Sequence, residues 1–195
     1  MTVERVGVVG CALIGTGIAD ISSRAGFEVR VAVYSEAAVE RARRRCTDSL
    51  DRALRKGKLT SEEHEAARGR LTFTADLSEL ADRQIVFETV PEDQETKIQV
   101  FEQLDKAVTD PEAILASVTS AIPIIRLSRA TARPERVVGA HFFNPVTTLP
   151  LVEVIASKRT SDSTVERLTE LLVGPLQRQV IRAQDPAPAS SSTRC

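Results

Sequence analysis

RVGVVGCALIGTGIADISSRAGFEVRVAVY, residues 5–34, is the stretch whose reading decides the fold. Residues 5–10 (RVGVVG) are a short valine-rich run closed by a glycine, the pattern of a buried strand. Residues 13–25 carry Ile14, Ile18, Ala19 and Ile21 as an apolar stripe at helical spacing, and Gly26 follows as the helix stop. Residues 28–34 (EVRVAVY) read as a second strand. Strand, glycine-containing turn, helix and strand within about 30 residues make a βαβ unit, whose strands are expected to run parallel.

The same alternation continues outward. Residues 37–56 read as a long helix with Arg41, Arg43, Arg44 and Arg45 in its middle. Thr60 or Ser61 caps the next helix, with Glu62 and Glu63 in the first turn, where the helix dipole favours acids. Strands are expected at residues 71–74, 84–90, 113–118, 137–143, 151–155 and 179–182, and helices at 92–108 and 163–173. Pro123 opens a short helix, and Gly174-Pro175 stops the helix before the last strand. The order argues for an α/β fold with a mostly parallel sheet and flanking helices. No internal repeat is visible. Residues 1–184 are expected to form one domain, and 185–195, rich in Pro and Ser, a disordered tail.

Composition narrows the function. Over 195 residues, 26 Lys+Arg balance 27 Asp+Glu, which argues against a broad nucleic-acid or membrane binder. Seven aromatic residues without a Trp do not build a stacking platform for single strands. No apolar run approaches the ~20 residues of a membrane span, and the opening residues show no signal-peptide core. Cys11, Cys46 and Cys195 are odd in number and lack metal-ligand spacing, which reads as a reduced, cytoplasmic protein without a metal.

The turn at residues 10–17 carries the chemistry of the first half. A dinucleotide fingerprint is G-x-G-x-x-G between strand and helix; here it reads Gly10-Cys11-Ala12-Leu13-Ile14-Gly15. Gly10 makes the tight turn, Gly15 lets helix and strand approach, and Ala12 stands where the middle glycine would face the pyrophosphate. Gly10, Ala12, Leu13, Ile14 and Gly15 are the candidate cradle, because a helix N-terminus aims free N–H groups at an anion. This makes the fold Rossmann-like and doubly wound. The ribose carboxylate expected ~20 residues on is not in register: that position is Val33, and Glu36 is the nearest acid. Either the strand end bulges to bring Glu36 in, or the ribose grip is weakened. Ser35 and the arginines leave a 2′-phosphate, and hence NADP, open, although such arginines more often form a solvated helix face.

Two histidines are present. His64 lies in a charged helix and reads as a surface residue, whereas His141 ends the apolar strand VVGAHFF at a sheet edge. Ser120 follows an earlier strand and Glu153 lies in the next one, so a hydroxyl, an imidazole and a carboxylate are available for an oriented general base.

Four segments together, RVGVVGCALIGTGIAD, ETVPEDQETKIQVFEQLD, ASVTSAIPIIRL and RPERVVGAHFFNPVTTLPLVEV, make the sequence resemble the N-terminal NAD-binding domain of the 3-hydroxyacyl-CoA dehydrogenase family. The resemblance implies an oxidoreductase of fatty acid metabolism that interconverts L-3-hydroxyacyl and 3-ketoacyl thioesters, with hydride passing to NAD. It implies that His141 is the base, that Glu153 orients it, that Ser120 bonds the substrate hydroxyl, and that Glu92 and Lys97 lie near the nicotinamide half. The thioester carrier implied is CoA or an acyl carrier protein. Departures are Ala12, Val33, and Val118-Thr119-Ser120-Ala121 in place of Asn-Thr-Ser-Ser. The family's helical C-terminal domain is also absent, so the expectation includes a homodimer or a partner chain that supplies it. A non-catalytic, truncated NAD-binding domain is the competing expectation.

Overall fold

A computed structural model of the chain describes residues 3–185. Its elements are β1 (Arg5–Val9), α1 (Leu13–Arg24), β2 (Glu28–Ala32), α2 (Glu36–Arg55), α3 (Ser61–Gly69), β3 (Leu71–Thr74), β4 (Ile85–Glu88), α4 (Gln94–Ala107), β5 (Ile114–Ser117), α5 (Ile124–Ser128), β6 (Val137–Phe142), β7 (Leu151–Ala156), α6 (Asp162–Val173) and β8 (Gln179–Gln184). Short 3-10 turns at Leu77–Leu80 and Pro134–Arg136, not expected from the sequence, complete the order. The strands form one sheet, β3-β2-β1-β4-β5-β6-β7-β8. Pairing is parallel from β3 through β6; β7 runs antiparallel to β6, and β8 returns parallel to β7 through α6. The order reverses at β1, which lies between β2 and β4, so the sheet has the switch point of a doubly wound fold.

Alternation along the central strands explains the two apolar layers. Val8, Phe87 and Ala116 join the layer with Ile18, Leu50 and Leu168, whereas Val86 and Leu115 join the layer with Phe101, Leu104 and Leu127. Because both faces are covered, these strands are apolar at nearly every position. Helix starts follow their caps: Ser35, Thr60, Asp93 and Ser161 each accept a backbone N–H, and Thr60 with Glu63 closes a reciprocal capping box.

Two expectations are corrected here. His64 is buried, not on the surface: its Nε2 lies 2.8 Å from Asp51 Oδ1 and its Nδ1 3.3 Å from Glu65 Oε1. The cause is packing, since α3 folds back against α1 and α2. Asp185, expected in the tail, belongs to the folded body. Its N–H donates to Ala156 O at 2.8 Å, and its carboxylate accepts the N–H groups of Ile124 (3.0 Å) and Ile125 (2.9 Å). It therefore caps α5, whose own N-cap is Pro123 and offers no side-chain oxygen. Residues 186–195 of the expected tail lie outside the described residues.

Candidate active site

A cleft of about 720 Å³ opens at the carboxyl ends of β1, β2 and β4, beside the switch point. Its wall includes Gly10, Ala12, Val33, Arg41, Arg45 and Thr89. Gly10 has φ +89°, a backbone that favours glycine, and turns the chain from β1 into α1. Gly15 touches that turn so closely that a Cβ there would collide with Gly10 O and lie 2.5 Å from Thr89 Oγ1. Thr89 itself staples the turn to β4, donating from Oγ1 to Val9 O (2.9 Å) and Gly10 O (3.1 Å). Ala12 is the N-cap of α1 with φ −78°, so its methyl requires no left-handed backbone. The helix ladder begins with Thr16 N–H donating to Ala12 O, which leaves the N–H groups of Leu13 and Ile14 without helical acceptors. A cleft of this size with free N–H groups at a helix start fits the pyrophosphate of a dinucleotide.

Gly15→Ala is therefore expected to displace the turn. Crowding of this kind costs about 1–3 kcal/mol. Thermal melting should show the lower stability, and a fluorescence titration should show weaker NADH binding. A variant that binds like the parent would remove Gly15 from the cradle.

The ribose end differs from a bulged strand. β2 stops at Ala32, Val33 N–H donates to Thr74 O (3.0 Å), and Ser35 caps α2 by accepting from Ala38 N–H. Glu36 is the exposed first residue of α2 and is not part of the cleft wall. The arginine cluster splits. Arg43 lies over the Phe73 ring at 4.9 Å, whereas Arg41 and Arg45 line the cleft. Arg41 Nη2 donates to Tyr34 Oη and Arg45 Nη1 to Cys11 O, both at 2.8 Å.

On the other side of the switch point, β6 and β7 set His141 opposite Glu153 as antiparallel register partners. Their Nδ1 and Oε2 are 3.4 Å apart, and both side chains stay partly open to solvent. The His141 ring also leans on Phe143, with centroids 4.6 Å apart. Since Nδ1 faces a carboxylate, the ring proton belongs there and Nε2 is the free acceptor. Ser120 lies just beyond β5, the strand paired with β6, and past the Ser117–Gly139 register pair. The structure thus brings Ser120, His141 and Glu153 to one edge of three adjacent strands.

Glu92 gathers the Ser120 loop. Its Oε1 accepts from Thr119 Oγ1 (2.5 Å), Ser120 N (2.9 Å), Ala121 N (3.1 Å) and Ser120 Oγ (3.4 Å). Burial opposes its ionisation, but these bonds and the Lys97 ammonium, 3.8 Å away, hold its carboxyl below the ordinary range.

Lys97 does not reach the cleft wall. It is fully buried, with Nζ 2.8 and 2.9 Å from the two Glu88 oxygens and 3.0 Å from Val118 O. Glu88 also accepts from Ser117 Oγ and Val90 N–H, each at 2.7 Å. Burial pushes the Glu88 carboxyl up despite these partners. Glu88 and Thr89 were missed in the sequence. The signal was an acid inside the apolar run QIVFETV, whose meaning depends on the partner that meets it.

The model of the 3-hydroxyacyl-CoA dehydrogenase NAD binding domain matches residues 5–186. The chain belongs to this family. A 3-hydroxybutyryl-CoA dehydrogenase of Mycobacterium tuberculosis is 48% identical over 183 residues, covering 94% of this chain. A crystal structure of M. tuberculosis FadB2 superposes with a TM-score of 0.93 at 47% identity, covering 96% of this chain and 66% of that one. A 3-hydroxybutyryl-CoA dehydrogenase structure from Escherichia coli superposes with a TM-score of 0.90 at 34% identity, over 95% of this chain and 39% of that one. This chain spans 64% of the length of the M. tuberculosis dehydrogenase. The family's cofactor is NAD, and the turn, the helix start and the cleft of this domain fit it. Among the described residues no cluster of His, Cys, Asp or Glu suits a metal, and no helix is long and apolar enough to cross a membrane.

Proposed function

We propose that the chain carries the cofactor-binding and base-bearing part of an oxidoreductase that interconverts L-3-hydroxyacyl and 3-ketoacyl thioesters, of the 3-hydroxybutyryl-CoA type. The observation that carries this is the His141–Glu153 pair, set in register across β6 and β7 beside the Ser120 loop. In the oxidation direction His141 Nε2 takes the hydroxyl proton, Glu153 stabilises the imidazolium, and Ser120 Oγ bonds the substrate oxygen. NAD supplies the hydride acceptor. Glu92 positions Ser120, and Lys97 positions Glu92 by tying β4, α4 and the end of β5 together. The substrate is an acyl-CoA of fatty acid metabolism, with an acyl carrier protein as the alternative carrier. Cytoplasmic residence is supported by the free thiols of Cys11 and Cys46. A homodimer or a partner chain is supported by the outer strand β8, where Ile181 is 53% exposed.

The test is NADH-dependent reduction of acetoacetyl-CoA by the purified chain. Turnover that disappears in His141→Ala supports the reading. NADH binding without turnover favours the alternative, a non-catalytic cofactor-binding domain. Failure to bind NADH overturns both.

The ribose end predicts weak discrimination between cofactors. Val33 offers no carboxylate to repel a 2′-phosphate, and Arg41 and Arg45 face the cleft. NADH and NADPH should bind within about tenfold of each other, a margin of ~1.4 kcal/mol. Val33→Glu should restore a preference for NADH, because it adds both a ribose acceptor and a repulsive charge. Much weaker NADPH binding by the parent chain would refute this.

A further inference from the structure

Cys11 and Cys46 face each other inside the protein with their Sγ atoms 3.7 Å apart. Cys11 follows Gly10 in the phosphate turn and forms part of the cleft wall. Cys46 comes from the middle of α2, is fully buried, and does not line the cleft. Both are free thiols, and the proposed reaction uses neither. The two are chemically unequal. Cys11 Sγ lies 3.4 Å from Thr16 Oγ1, and the Arg45 guanidinium is held next to it at Cys11 O. The Cys46 hydrogen bond, against burial and with help from Thr16 and Arg45, lowers the Cys11 thiol to about 7. The same contact and burial push Cys46 up. Cys11 is itself buried, 6% exposed, but its residue borders the cleft. A lowered thiol one layer beneath a cleft, with a protonated second thiol behind it, is the pair that a small oxidant such as peroxide can reach and a resolving cysteine then close.

We propose that Cys11 and Cys46 form a reversible oxidation site for hydrogen peroxide, and that their disulfide weakens dinucleotide binding at the phosphate turn. Cys11 thiolate attacks one peroxide oxygen: an S–O bond forms, the O–O bond breaks, and hydroxide leaves. The sulfur gives up two electrons and the peroxide takes them. Cys46 sulfur then attacks the sulfenic sulfur: the S–S bond forms, the S–O bond breaks, and the oxygen departs with the Cys46 proton as water. To bond, the sulfurs close from 3.7 Å to about 2 Å. Cys46 is held in helix packing, so the shift falls on Cys11 and the adjoining turn, whose backbone faces the phosphates. A bound dinucleotide in turn covers Cys11 and excludes peroxide. This coupling rests on the cleft being the dinucleotide site; formation of the disulfide does not.

The experiment uses the full chain as a Cys195→Ser variant, reduced and then treated with hydrogen peroxide. Peptide mapping is expected to show a Cys11–Cys46 link and an intact mass lower by two hydrogen atoms. NADH affinity should fall by about tenfold, a usual factor for two linked events. Dithiothreitol should restore it, and saturating NADH should slow the linkage. In Cys46→Ser, or Cys46→Ala if that variant does not fold, dimedone should trap Cys11 as the sulfenic acid while reduced protein binds NADH as the parent does. Absence of the link in the parent, or passage of Cys11 straight to sulfinic acid, overturns the site. A link that leaves NADH affinity unchanged overturns the coupling. Reduced parent protein that fails to bind NADH overturns the cofactor reading, and the peptide map still decides the oxidation site.

Discussion

Replacing His141 with alanine is expected to lower the rate of NADH-dependent acetoacetyl-CoA reduction by about 10²–10⁴-fold, the usual contribution of a positioned general acid or base. Reduction needs a proton delivered to the carbonyl oxygen, and oxidation needs the same proton removed. His141 is the residue at the Ser120 edge with a free ring nitrogen, and an imidazole can both take and give a proton. Its Nδ1 is committed to Glu153 Oε2 at 3.4 Å, which leaves Nε2 for substrate. NADH affinity should not change, because His141 does not line the dinucleotide cleft. Glu153→Gln should cost a similar factor: an amide N–H can donate to Nδ1 and so move the ring proton to Nε2, where the lone pair is needed. The measurement is kcat and KM for each variant beside an NADH titration. If His141→Ala lowers NADH affinity and rate together, the residue acts on cofactor binding and the base assignment is wrong.

Lys97→Ala is expected to destabilise the protein by about 3–5 kcal/mol, the cost of breaking a buried pair from one side. For a chain of this size that is a melting temperature lower by roughly 6–20 °C, at about 2–4 °C per kcal/mol. Lys97 and Glu88 are both fully buried, so Glu88 would be left as a carboxylate with no countercharge. It would protonate instead, and its carboxyl, already pushed up by burial, would rise further. A folded-state pKa above the unfolded value of about 4.3 means that the native state binds the proton more tightly, so stability falls as pH rises through that window. The gap between parent and variant should therefore narrow on acidification. Glu88→Leu combined with Lys97→Met should recover much of the loss, because no charge is then buried alone. Chemical denaturation at several pH values measures all of this. A loss under about 1 kcal/mol, independent of pH, would place the tie between β4 and α4 elsewhere.

Part of the fold and of the site is legible in the sequence. The valine run, the glycine turn and the apolar helix stripe of residues 5–34 specify β1, α1 and β2 by local periodicity, and the strands and α-helices follow the expected order within a few residues. His141 and Glu153 are legible as residue types on consecutive strands, and the family resemblance implies that they pair. The residue pattern alone does not, because the pairing depends on β7 running antiparallel to β6, which brings residues twelve apart in the chain face to face. The sequence reads His64 as a surface residue, because charged neighbours say nothing about the helices that pack over it. Lys97 was matched to the cofactor region, yet its ammonium turns inward to Glu88, a partner nine residues back on another element.

The sequence by itself determined the α/β class, the position of the phosphate turn and the identity of the residues available for chemistry, since these depend on local pattern and short-range backbone sterics. Tertiary structure alone decided which of them meet. It placed Arg41 and Arg45 on the cleft wall and left Glu36 outside it. It brought Cys46 to Cys11, Glu92 to Ser120 and Asp185 to the start of α5. Contacts of this kind join residues far apart along the chain, and their register follows from how helices and strands pack on the two faces of the sheet, which no local pattern encodes.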